Sequence, residues 1–223
     1  MKSIERVFVD VDVQRDFCEP TGALHVKGSP NDLYRALTRH AVKEGIPIVG
    51  SVDSHAWDAW EFAGNDRKGP SGEKPGFPDH CVKGTPGWLK VEGTLPPRFR
   101  FVPNVAEAPV EPIADELARG ATQGVYFEKE VYSLFANPLA ERFLAALVGH
   151  DRAAPEMIVY GVATDYCVKA AALGLAERGY RTTLLTDAIA GITPEGTAAA
   201  LDEMKARGVR LTTAASLMAE TAR

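Results

Sequence analysis

Six short apolar runs, each separated from the next by a longer segment, constrain this chain more than any other feature. Residues 6–13 (RVFVDVDV), 46–52 (IPIVGSV), 124–127, 157–162 (MIVYGV), 182–185 and 209–212 have strand length and strand composition. Helical spacing or composition falls between them at 33–42, 138–148, 165–178 and 194–206. The last of these opens on Pro194 and ends at Gly208. Strands alternating with helices predict an α/β fold, with a mostly parallel sheet covered by helices on both faces. The pattern fails over residues 64–112, where Gly and Pro are dense. That stretch is too long for a plain connection. It reads as an active-site excursion with little regular structure, within one domain spanning residues 1–223.

Sheets of this kind bind ligands at the carboxyl ends of their strands. Asp12 ends the first predicted strand, Asp53 and His55 follow the second, and Lys129 follows the third. Thr164, Asp165 and Cys167 follow the fourth, and Asp187 follows the fifth. The chemically capable groups therefore gather on one rim.

Composition narrows the partners. The 223 residues carry a formal charge of −5, so nothing points to nucleic acid or to an anionic membrane. No apolar run reaches the roughly 18 residues of a membrane span, and the first residues lack the pattern of a secretory signal. A cytoplasmic protein acting on a small molecule is expected. The three cysteines, Cys18, Cys81 and Cys167, are too dispersed for a thiolate zinc cluster, and any disulfide leaves one unpaired.

Cys167 stands out among them. A cysteine near a helix start is ordinarily a small buried hydrophobe. Here the opening turn of a helix would favour a thiolate and offer N–H groups to an oxyanion. Asp12 and Lys129 lie on the same rim, as proton carrier and cation. A second set comprises Asp53 and His55, alternate residues that point the same way from an extended strand end. His80 in FPDHC would complete a set of two histidines and a carboxylate with open positions, suited to zinc, manganese or iron. Glu61 is the candidate fourth ligand.

VDVQRDF at 11–17, GAL at 22–24, DSH at 53–55, HCVKGTPG at 80–87, GVATDYCVKA at 161–170 and TDAIAG at 186–191 occur in this order. Together they resemble the nicotinamidases of the isochorismatase-like cysteine hydrolase superfamily. The resemblance implies a three-layer α/β/α sandwich around a parallel six-stranded sheet. It implies a catalytic triad at Asp12, Lys129 and Cys167, and a divalent metal, zinc favoured over manganese or iron, at Asp53, His55 and His80, with a variable ligand position near Glu61. It also implies a non-proline cis peptide at Val162–Ala163 that aims the Ala163 and Cys167 N–H groups at an oxyanion. Phe17 and Phe77 would flank a flat ring, Tyr132 would line the same pocket, and the chain would form a homo-oligomer. The implied reaction is hydrolysis of a small amide, nicotinamide first, through a thioester on Cys167. Alternatives are a carbamoyl or ureido amidase, whose members keep the triad but generally lack the metal residues, an isochorismatase, or a binding protein without activity.

Overall fold

The predicted runs lie side by side in the computed structural model, which describes residues 4–64, 66–69, 72–149 and 154–221. In chain order the elements are β1 (Arg6–Val11), α1 (Arg15–Cys18), α2 (Asn31–Glu44), β2 (Ile48–Asp53), β3 (Phe99–Val102), α3 (Glu111–Ala118) and β4 (Gly124–Lys129). There follow a 3-10 turn (Leu134–Ala136), α4 (Ala140–Val148), β5 (Glu156–Val162), a π-turn (Thr164–Val168), α5 (Lys169–Glu177), β6 (Arg181–Ala190), α6 (Pro194–Ala206), β7 (Arg210–Thr212) and α7 (Ala214–Thr221). The sheet order is β3-β4-β2-β1-β5-β6-β7, and every pairing is parallel.

The sheet has seven strands rather than the expected six. The addition is β3, inside the stretch read as irregular. It is an edge strand whose first two residues are exposed, so it lacks the apolar run that marks its neighbours. No helix among the described residues is long and apolar enough to cross a membrane.

Both faces of the central strands are apolar, as a parallel sheet under two helix layers requires. Val7, Val9, Val125, Phe127, Met157 and Val159 pack on one side against residues of α3, α4, α5 and α6. The intervening Phe8, Tyr126, Ile158 and Tyr160 pack on the other against α2 and α7. Local chemistry sets the ends: Gly45, at φ +68, stops α2, and the Thr193 hydroxyl caps α6 by accepting the Gly196 N–H.

Two features create the site. The chain runs from β1 to β2 on one side, then crosses after β4 to β5 on the other, so the order reverses around β1 and opens a crevice between the carboxyl ends of β1 and β5. Those ends also approach closely. Gly161 has φ +128, and a Cβ there would lie 2.0 Å from the Val11 carbonyl oxygen, so only glycine fits.

Candidate active site and metal centre

Asp12 is the first residue beyond β1, at φ +50, a left-handed conformation that aspartate tolerates better than most residues. Its Oδ1 accepts a 2.7 Å hydrogen bond from the Ser51 hydroxyl. Its Oδ2 lies 2.8 Å from Nζ of Lys129, the last residue of β4. The same ammonium donates to Asp53 Oδ1 at 2.9 Å and to Cys167 Sγ at 3.6 Å. Lys129 is fully buried. Burial alone would favour its neutral form, but Asp12 and Asp53 outweigh that and hold it a cation.

Cys167 sits in the π-turn rather than in the first turn of an α-helix, because β5 leads into a wider turn before α5 begins at Lys169. The peptide Val162–Ala163 is cis, as the resemblance implied. Burial, with Asp12 and Asp53 adding to it, pushes the thiol well above its usual range despite Lys129, so the resting group is S–H.

The second expected set also comes together. His55 Nε2 lies 2.9 Å from Glu61 Oε1 and 3.4 Å from Asp53 Oδ2. His80 Nε2 lies 3.2 Å and 3.8 Å from the same two oxygens. His80 Nδ1 is 2.8 Å from the Pro78 carbonyl, an acceptor that requires the proton on Nδ1, so in the neutral ring Nε2 carries the lone pair. Neither ring nitrogen of buried His55 makes a hydrogen bond. Donors around a divalent ion with bonds of about 2.0–2.2 Å stand roughly 3–3.5 Å apart, and the contacts here, from 2.9 to 3.8 Å, lie close to that range. Charge is compatible: with the two imidazoles neutral, Asp12, Asp53 and Glu61 are three buried carboxyl groups facing one ammonium, a deficit that a divalent cation would close.

Asp53 joins the two halves, with Oδ1 on Lys129 and Oδ2 on the histidines. Its backbone is gripped by a residue the sequence reading missed. Buried Gln14 accepts the Asp53 N–H at 2.7 Å and donates to its carbonyl at 2.8 Å. A glutamine just past a buried strand end, inside the motif VDVQRDF, is the only signal that could have marked it.

The adjoining cavity is walled by Phe17, Phe77 and Tyr132, all expected, and by Leu24, Tyr166 and Ile192, which were not. Its polar end carries Asp53, Glu61 and His80, and Cys167 and Ala163 also line it. Phe17 and Phe77 pack on His80 with ring centroids 5.4 and 6.0 Å away. Asp187 does not join the rim. It lies within β6, which runs on to Ala190, and its carboxylate accepts the Ala214 N–H at the start of α7.

A model of the isochorismatase domain family matches residues 6–216. The chain belongs to that family. Among its relatives, the nicotinamidase/pyrazinamidase of Mycobacterium tuberculosis is 31% identical over 208 residues, covering 92% of this chain and 97% of that protein. The nicotinamidase of Escherichia coli is 28% identical, covering 94% and 95%. The crystal structure of a Pyrococcus horikoshii pyrazinamidase in complex with zinc superposes with a TM-score of 0.66 at 29% identity, over 94% of this chain and 99% of that one.

In this member of the isochorismatase domain family, metal uptake should be strongly pH-dependent. Burial opposes a charged imidazole at both histidines. The Asp53 and Glu61 carboxylates against their Nε2 atoms nevertheless push His55 up to about 9 and His80 up to about 10. An incoming ion must displace both protons, so affinity should rise with pH by roughly 100-fold per unit and level off above about 9–10. Chelator competition across pH, with proton release followed by an indicator, measures this. A flat affinity profile would show that the ion binds elsewhere.

Proposed function

We propose that this protein hydrolyses nicotinamide to nicotinate and ammonia through a thioester on Cys167. The observation that carries the reading is the position of Lys129. One buried ammonium touches Asp12, Cys167 and Asp53, and Asp53 reaches the metal donors with its other oxygen. The names of the relatives favour the same substrate.

Asp53, His55, Glu61 and His80 would hold a divalent ion, which when bound would supply a Lewis acid at the polar groups of the substrate. The aromatic walls take the flat ring and exclude water from it. Cys167 Sγ attacks the amide carbon while its proton passes to Asp12. The carbonyl oxygen, now an oxyanion, is received by the N–H groups of Ala163 and Cys167. The tetrahedral adduct collapses as Asp12 returns the proton to the nitrogen, which leaves as ammonia. Asp12 then takes a proton from water, the resulting hydroxide attacks the thioester, and nicotinate departs with the thiol restored. Lys129 stays charged throughout and balances each negative group that forms beside it.

Ammonia release from nicotinamide, pyrazinamide and a ureido compound, with and without chelator, tests the reading. Turnover of the two aromatic amides, lost on chelation, is expected. Turnover of the ureido compound alone, indifferent to chelator, would overturn it in favour of a metal-free amidase.

A further inference from the structure

We infer that Asp16 is a positioning residue for the metal centre, one that sets both histidine ligands without touching either the ion or the substrate. The inference rests on the metal site proposed above and goes beyond it. Asp16 lies in α1, half-buried, and its carboxylate accepts two backbone N–H groups. Oδ2 takes that of Cys81 at 2.7 Å, and Oδ1 takes that of Ala23 at 3.0 Å.

Cys81 is the residue after His80, and it is held at φ +46, where a side chain other than glycine needs outside support. The Cys81 carbonyl in turn accepts the His55 N–H at 3.1 Å, and the His55 carbonyl accepts the Lys83 N–H at 2.9 Å. A single short segment, 80–83, therefore carries one imidazole and registers the backbone of the other. Its hold on α1 is the Asp16 carboxylate. A charge-assisted hydrogen bond of this length is among the stronger bonds a backbone amide can make.

The surroundings leave this carboxylate one position. A Cβ on Gly87 would lie 2.1 Å from Asp16 Oδ2, and one on Gly22 would lie 2.3 Å from the Asp16 carbonyl oxygen. The Asp16 N–H donates to the Gly87 carbonyl, and its own carbonyl accepts the Leu24 N–H. Two neighbouring turns, α1 carrying Phe17 and the turn carrying Leu24, thus meet the distant histidine segment on one residue. A carboxylate accepts at both oxygens, whereas the amide of an asparagine must turn its NH₂ toward one of the two donors. Replacement by asparagine therefore loosens the histidine pair while almost preserving shape.

Asp16→Asn should weaken zinc binding, measured by chelator competition, by about 10–100-fold, as partners that orient metal ligands typically do. The absorption spectrum of the cobalt-loaded protein should also shift, a signature of altered ligand geometry that a loss of global stability alone would not produce. Gly87→Ala, which leaves every carboxylate in place but crowds this one, should act in the same direction and serves if Asp16→Asn does not fold. His80→Ala provides the reference. If it abolishes zinc binding while Asp16→Asn or Gly87→Ala binds zinc within about twofold of the wild type with an unchanged cobalt spectrum, the positioning role is wrong and the metal site stands. If His80→Ala binds zinc as well as the wild type, the metal site itself is wrong, and the positioning role falls with it.

Discussion

Cys167→Ala is expected to lower ammonia release from nicotinamide by about 10⁴-fold or more while the protein stays folded and keeps its metal. The magnitude follows from the role: without the sulfur no thioester can form, and what remains is binding and electrostatic assistance to direct attack by water. Folding should survive because alanine occupies less space than the thiol and buries no new polar group. The sulfur accepts one long hydrogen bond, from Lys129 at 3.6 Å, and that ammonium keeps both its carboxylates without it. Metal content, the circular-dichroism melting curve and single-turnover ammonia release would be measured on one preparation. Turnover within tenfold of the wild type would remove Cys167 from the chemistry.

The second large effect is on stability as well as rate. Lys129→Met keeps an unbranched side chain, one atom shorter, but withdraws the cation from between Asp12 and Asp53, all of them buried. Breaking a buried ion pair by deleting one partner costs about 3–5 kcal/mol, because the other charge is left uncompensated. In a chain of this size that corresponds to a fall in Tm of roughly 10 °C. Activity should be lost as well, since Cys167 then faces two carboxylates with nothing to offset a developing thiolate. Acidification should restore part of the lost stability by neutralising the stranded carboxyls. A Tm equal to that of the wild type, with no dependence on acid, would mean that Lys129 does not hold the carboxylates together.

Both variants concern residues that were legible before any coordinates. Asp12, Lys129 and Cys167 could be read because each follows a strongly apolar run, and the carboxyl ends of parallel strands share one rim. The histidines were readable in the same way from D-x-H and from FPDHC. Asp187 misled because the fifth predicted strand was ended at Leu185, whereas β6 continues past a register shift opposite residues 159–161. β3 and α3 were missed because an exposed edge strand and a helix of eight residues carry little periodic signal. The π-turn at Cys167 was invisible for a different reason: a helical pattern continues through it, and one widened turn barely disturbs the spacing. Gln14 and Asp16 were overlooked although both stand in a quoted motif. Their roles lie in hydrogen bonds to the backbone of distant segments, which no local pattern encodes.

The order of the strands has a consequence for how activity is acquired. Lys129 bonds a partner 76 positions earlier and another 38 positions later, and the chain must pass from β4 over β2 and β1 before β5 can lie against β1. Contacts of such long range close slowly, because chain entropy is given up before they are made. Asp12 emerges 155 residues before Cys167, so no nascent chain stopped before β5 contains the proposed nucleophile. Recovery of turnover during refolding should therefore trail the recovery of helical signal, and the reaction itself becomes a clock for the last long-range step of folding.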